Sequence, residues 1–188
     1  MEKRSLRDTD VRRSLSEWLV CGHADPQTRV LHELKVPRPS ARIDVALVNG
    51  ELTSYEIKSD VDSLSRLRTQ ISACNRVFDK AYVVTTGRHV KRCMDKIPAW
   101  WGIVLACEDS RGVFVSKIRK SKANPERCIK SSLYILTKTE LSDIFWNLCE
   151  RRPKHGLRHT QIVDLISRDC DPELVRIQIN NSLKLRGS

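Results

Sequence analysis

The most constraining feature of this 188-residue chain is an Asn-Gly pair between two short, largely apolar segments. Residues 42–48 and 51–58 have the composition of β-strands, and Asn49-Gly50 is a strong hairpin signal. Side chains alternate along a strand, so the turn length decides which positions share a face of the sheet. A two-residue turn pairs position 48 with position 51. A three-residue turn with Gly50 in a left-handed conformation changes that parity, and the sequence permits both turns.

Three charged side chains make the turn length important. Acidic residues are poor strand formers, yet Asp44 stands near the start of the first strand and Glu56 stands inside the second. Lys58 closes the second strand. A three-residue turn, or a bulge, places all three on one face, whereas a two-residue turn separates Asp44 from Glu56. Together they predict a site for a divalent metal with a phosphate beside it.

The rest of the chain predicts an α/β (α+β) fold with a mixed sheet and flanking helices. Helical spacing of apolar residues predicts helices over 8–20, 60–79 and 88–97. Further strands are predicted over 28–36, 81–86, 102–107 and 113–118, and an exposed basic loop over 119–130. In the strand 28–36, regular alternation places one set of side chains on one face, namely Val30, His32, Leu34 and Val36.

We expect two parts, a core over 1–135 and a small helical subdomain over 136–188 that contacts nucleic acid or a protein partner. The formal net charge is +11. Residues 111–188 contribute most of it, with 16 Lys and Arg against 8 Asp and Glu. Such an excess favours a polyanionic partner, with a basic surface that serves only solubility as the alternative.

The sequence also argues against several classes of protein. No apolar run approaches the length of a membrane span, and the N-terminus has no secretory signal pattern. A cytoplasmic protein is therefore expected. The seven cysteines are odd in number and include no CxxC pair, so we expect neither a disulfide framework nor a zinc site.

Phosphodiester hydrolysis gives the charged residues definite roles. Asp44 and Glu56 would bind the metal with the backbone carbonyl of Ile57, and Lys58 would position water or offset negative charge. Glu33, on the preceding strand, would ligate directly, through water, or hold a second ion. The alternative is structural: Glu56 and Lys58 form an ion pair on a solvated face, and Asp44 is a charge at a strand end.

At these residues the chain resembles the PD-(D/E)XK nuclease superfamily, which has a restriction-endonuclease-like fold. The pattern of that superfamily is a helix, a strand, an Asp near the start of the next strand, and (D/E)-x-K on the strand after it. Asp44, Glu56 and Lys58 match it position by position, and Glu33 matches the additional upstream acidic residue. The resemblance implies a Mg²⁺- or Mn²⁺-dependent nuclease, with DNA as the expected substrate.

Two departures from that pattern are present. Ile43 replaces the Pro that precedes the Asp. Recombination-type members carry Gln-x-x-x-Tyr on the next helix; Gln70 fits this motif, but Cys74 occupies the Tyr position. Gln70 is therefore either a residue at the edge of the active site or a solvent-facing polar residue of its helix.

The run over 42–70, with the segments 77–86 and 97–103, also resembles a poorly characterised family of small bacterial and phage nuclease-like proteins. Basic residues near the site are candidates for contacts to phosphate; these are Lys35, Arg38, Arg42 and Arg66. A homodimer or a protein partner is a further expectation. The alternative functions are an inactive nucleic-acid-binding protein that keeps the fold, and an accessory protein of a phage or defence system.

Overall fold

In a computed structural model, which describes residues 4–23, 25–37 and 40–186, the chain forms a six-stranded mixed sheet with helices on both faces. In chain order the strands are β1 (Arg29–Pro37), β2 (Ser40–Val48), β3 (Leu52–Lys58), β4 (Lys80–Thr86), β5 (Gly102–Asp109) and β6 (Gly112–Arg119). Their spatial order follows the chain. β3–β4 and β4–β5 are parallel, and the other three pairs are antiparallel. The predicted α+β class with a mixed sheet is confirmed.

The described ranges contain seven helices: α1 (Asp8–Cys21), α2 (Leu67–Val77), α3 (Val90–Met94), α4 (Ile129–Leu133), α5 (Lys138–Cys149), α6 (His159–Asp169) and α7 (Pro172–Lys184). α1 packs one face through Val11, Leu15 and Leu19, and we call this cluster the α1 core. α2 packs the other face together with α4–α7, and we call this second cluster the α2 core. No helix within these ranges is long and apolar enough to cross a membrane.

The C-terminal helices are continuous with the α2 core. Leu141 of α5, Ile162 of α6 and Val175 of α7 are fully or almost fully buried in the same cluster as Ala46 and Val83 of the sheet. The C-terminal region is helical, as predicted. Because its apolar face is covered by the rest of the chain, the described part of this segment, residues 136–186, contributes to the main fold. The boundary at residue 135 stays a prediction.

The hairpin has the three-residue turn. Val48 pairs with Leu52, which leaves residues 49–51 as the loop. Gly50 adopts a φ of +97°, a conformation that L-residues rarely adopt. The register continues through the pair Val45 and Tyr55. Positions 44, 56 and 58 are thereby brought to the same face of the sheet.

The alternation predicted for the first strand is wrong at Glu33. This residue has a φ of +54°, and its pairing with Asp44 is missing from the otherwise continuous β1–β2 register of the described strands. Val30 therefore packs against the α1 core, whereas Leu34 and Val36 lie in the α2 core. A single left-handed residue reverses the direction of the side chains that follow it. The prediction of one shared face for the four residues from Val30 to Val36 was therefore wrong.

The helix predicted to begin at residue 60 begins instead at Leu67. Ser59 donates both its backbone N–H and its hydroxyl to the Asp62 carboxylate. The Asp60 carboxylate accepts the backbone N–H of Leu6 at 2.8 Å. These local and long-range hydrogen bonds hold a turn where helical spacing alone predicted a helix.

The segment predicted as an exposed loop over 119–130 is anchored to the fold. The amide nitrogen of Asn124 donates to the carbonyls of Asn75 and Phe78, each at 2.7 Å. Ser121, within the segment, is buried. The side-chain amide satisfies carbonyls that the end of α2 leaves without helical partners, which the basic composition of the segment did not indicate.

Candidate active site

The turn and the strand register bring Asp44 and Glu56 opposite each other on β2 and β3. The Asp44 Oδ2 accepts the backbone N–H of Ile57 at 2.8 Å, so this side chain replaces a ladder contact where the β2–β3 pairing ends. The side chain of Glu56 is fully buried. Two carboxylates therefore lie side by side at the end of the hairpin, one half-buried and one inaccessible to solvent.

Lys58 and Gln70 complete a buried polar cluster around Glu56. The Lys58 Nζ donates to the Glu56 Oε1 at 2.9 Å and to the Gln70 Oε1 at 3.0 Å. The Gln70 Nε2 donates to the same Glu56 oxygen. Gln70 is buried on α2, so it is not the solvent-facing polar residue that the sequence left open. Its predicted role at the edge of an active site stays a prediction.

The buried environment changes the acid strength of Glu56. Burial and, to a smaller extent, the neighbouring Asp44 carboxylate raise its pKa to about 8, against an opposing effect of Lys58. Without a bound cation, Glu56 is therefore largely protonated at neutral pH. A buried carboxyl beside a second carboxylate needs additional positive charge before both can ionise.

Glu33 approaches Asp44 but is bound to arginines. Its Oε1 lies 3.0 Å from the Arg12 Nη2, and its Oε2 lies 3.5 Å from the Arg42 Nη1. The same Arg12 nitrogen lies 3.2 Å from the Asp44 Oδ1. Sequence reasoning missed Arg12, which reaches the site from α1, 32 residues before Asp44. The only local signal was its helical spacing from Asp8, with which it forms an ion pair.

The residues partly fit a divalent metal. One oxygen of Glu56, Oε2, is buried without a hydrogen-bond partner in the described structure, beside the Asp44 carboxylate. That orphaned acceptor and the raised pKa suit a cation that both carboxylates would hold. Within the described ranges no group of three His, Cys, Asp or Glu side chains has a metal-binding arrangement. The site therefore offers the two carboxylates of Asp44 and Glu56. The ligand role predicted for Glu33, whose carboxylate is paired with Arg12 and Arg42, stays a prediction.

A basic cleft of about 630 Å³ opens next to this cluster. Three residues that the sequence proposed for phosphate contact line it, namely Lys35, Arg42 and Arg66. Gln70 lines it as well, so the cleft leads to the Glu56 cluster. Arg38, the fourth candidate, lies outside the described residues. The ligand role predicted for the Ile57 carbonyl stays a prediction.

Comparison with known proteins identifies the family. A solved structure, the SPO1766 protein of unknown function from Silicibacter pomeroyi, superposes with a TM-score of 0.48 at 13% identity, over 72% of this chain and 84% of that one. Protein cII of Enterobacteria phage P4 is 29% identical over 143 residues, which are 74% of this chain and 53% of the relative. This chain thus spans about half the length of that curated relative. The family model for bacteriophage P4 protein cII matches residues 1–186, and the chain belongs to this family.

Proposed function

We propose that this protein is a metal-dependent nuclease of the PD-(D/E)XK type that hydrolyses phosphodiester bonds, with DNA as its substrate. The observation that carries the proposal is the fully buried Glu56, which has one unpartnered carboxylate oxygen. It lies beside Asp44 and accepts a hydrogen bond from Lys58. A purely structural ion pair on a solvated strand face would not require this burial, because exposed ion pairs contribute little to stability.

The chain supplies distinct groups to such a reaction. Asp44 and Glu56 would hold Mg²⁺ or Mn²⁺, which when bound activates water and neutralises charge on the phosphate. Lys58 is held by Glu56 and Gln70, so its ammonium is fixed at the site and stabilises negative charge that develops on the phosphate. Gln70 orients both the lysine and the glutamate, because it accepts from one and donates to the other.

The basic cleft gives the substrate a place to bind. Lys35, Arg42 and Arg66 line it, and Gln70 connects it to the metal-binding carboxylates. Phosphate contacts of this kind position a nucleic acid without reading its sequence. The proposed path for the sugar-phosphate backbone of the nucleic acid therefore runs between the β1–β2 end of the sheet and the start of α2.

The C-terminal region offers a second candidate contact to nucleic acid. The connection between α5 and α6 begins with Glu150, and its remaining residues, 151–158, contain Arg151, Arg152, Lys154 and Arg158 and no acidic residue. All four side chains belong to exposed residues, and within the described structure only Arg152 is in an ion pair, with Asp143. The unneutralised charge of this loop is available to a polyanion.

One observation favours an alternative, an inactive nucleic-acid-binding protein that retains the fold. Glu33 is engaged by Arg12 and Arg42, and no three-residue metal group is present among the described residues. If two carboxylates do not retain a metal, the cleft alone would bind nucleic acid. This alternative predicts DNA retention without cleavage.

A cleavage assay separates the two functions. Linear, circular, nicked and single-stranded DNA, and RNA, are incubated with the purified chain and Mg²⁺ or Mn²⁺, with chelator as the blank. We expect metal-dependent cleavage that is lost in Lys58→Ala and Glu56→Gln and retained in Lys91→Ala, which removes an exposed lysine of α3. Equal cleavage by Lys58→Ala, or no cleavage of any substrate, would reject the nuclease.

A further inference from the structure

Among the described cationic side chains near the candidate site, Arg12 makes the most hydrogen bonds and ion pairs. Its Nε and Nη2 donate to the two carboxylate oxygens of Asp8 at 2.9 and 3.1 Å. Its Nη1 donates to the backbone carbonyl of Asp44 at 2.6 Å, and its Nη2 also reaches the Asp44 Oδ1 at 3.2 Å and the Glu33 Oε1 at 3.0 Å. A guanidinium held by a two-point contact has a fixed orientation.

The position of this guanidinium is unusual. Asp44 and Glu33 are opposed on neighbouring strands, and their carboxylates share one nitrogen of Arg12. Two carboxylates that converge on one point are the usual arrangement for a divalent cation. Here the guanidinium of Arg12, a monovalent cation held by α1, occupies that point. Burial would lower the pKa of Arg12, but its carboxylate neighbours raise it overall, so the group remains charged.

We propose that Arg12 takes the place of a second divalent ion, so that this chain binds one metal, between Asp44 and Glu56, and none between Asp44 and Glu33. The inference rests on the proposed function for the first metal. Under this proposal Glu33 is an ion-pair partner of Arg12 and does not bind metal. Arg12 is a positioning residue, because it orients Asp44 through hydrogen bonds to the carbonyl oxygen and the Oδ1 of Asp44.

The electrostatic argument for a single ion is direct. A divalent ion between Asp44 and Glu33 would lie within a few ångströms of the guanidinium, and like charges at that separation repel strongly away from bulk water. The Asp8 carboxylate fixes the guanidinium from the other side, so Arg12 does not swing away without losing both of those hydrogen bonds. The unpartnered Glu56 Oε2, by contrast, has no cation among its described contacts, because Lys58 donates to the other oxygen, Oε1.

The test is the metal stoichiometry of the full chain, measured by calorimetric titration with Mn²⁺ after chelator treatment. We expect one ion per chain in the wild type and in Arg12→Lys, which keeps the positive charge. Arg12→Gln removes the charge and can still donate to Asp8, and we expect it to bind a second ion. Glu33→Gln in the wild-type background should leave the single ion in place, with affinity changed by no more than about fivefold, the range of a half-exposed charge.

The outcomes separate this inference from the proposed function. Two ions in the wild type, or loss of the single ion in Glu33→Gln, would overturn the role of Arg12. Should Arg12→Gln unfold, as shown by circular dichroism, the Glu33→Gln titration alone decides. No ion in the wild type would reject the proposed metal site. In that case Arg12→Gln still tests the inference, because it should gain one ion that Glu33→Gln removes.

Discussion

Replacement of Glu56 by Gln tests the buried carboxyl with a change of almost no volume. The structure raises the pKa of Glu56 from 4.5 to about 8. Each pKa unit corresponds to about 1.4 kcal/mol, so full ionisation of this side chain costs the metal-free folded protein about 5 kcal/mol. Between these two values the unfolded chain binds fewer protons than the folded one. The free energy of unfolding therefore falls as the pH rises from 4.5 to 8, and the Glu56 contribution levels off above pH 8.

The assay is urea unfolding in chelator at a series of pH values from 5 to 8.5, followed by circular dichroism. Glu56→Gln lacks the titrating group, so its stability relative to wild type should increase by about 3 to 5 kcal/mol across that range. Glu51→Gln is the matched control, because Glu51 lies half-exposed in the turn of the same hairpin. Its profile should run parallel to that of the wild type. If the free energy of unfolding of wild type and of Glu56→Gln changes in parallel with pH, the raised pKa of Glu56 is refuted.

The same proteins report on metal binding. A ligand that binds only the folded state at 100 times its dissociation constant stabilises it by about 2.7 kcal/mol. At pH 7, Mn²⁺ should therefore stabilise the wild type and leave Glu56→Gln nearly unchanged. Equal stabilisation of both proteins would place the metal elsewhere.

Three further outcomes are expected. Gly50→Ala should lower the free energy of unfolding by about 1 kcal/mol in urea, because φ at Gly50 is +97°; no change would indicate a different turn. Leu141→Ala should cost about 2–5 kcal/mol in a single cooperative transition, because Leu141 is fully buried in the α2 core, and two transitions would contradict the shared core. Arg151→Glu combined with Lys154→Glu should weaken DNA binding in fluorescence anisotropy and reduce its salt dependence, with unchanged affinity contradicting the loop contact.

The hairpin shows which part of a turn can be predicted from sequence. Asn49-Gly50 located the turn, but both turn lengths suit that pair. In the structure the turn has three residues. This length lets Val48 and Leu52 pair with each other while both side chains are buried. A two-residue turn would oppose Val48 with Glu51 instead. The choice was made by the core that forms across the whole sheet, which local sequence does not contain.

Gln70 was a candidate from the sequence, whereas Arg12 was not. Gln70 was accessible through the resemblance to recombination-type nucleases, which carry a Gln on the next helix, although only packing of α2 shows that it is buried. Arg12 follows the buried Val11 on an amphipathic helix, where a charged residue ordinarily faces solvent. Its contact with Asp44 spans 32 residues of chain and depends on how α1 crosses the sheet.

Glu33 connects the largest error of the sequence prediction to the candidate site. A non-glycine residue in the left-handed region costs about 1–3 kcal/mol and persists only where its surroundings compensate. Here the ion pairs with Arg12 and Arg42 hold the carboxylate. The reversal at Glu33 turns Val36 inward, and Val36 and Lys35 then line the basic cleft. The kink that breaks the strand alternation thus sets the direction of the residues that line one side of the proposed substrate path. The ion pairs with Arg12 and Arg42 account for an acidic residue at this position.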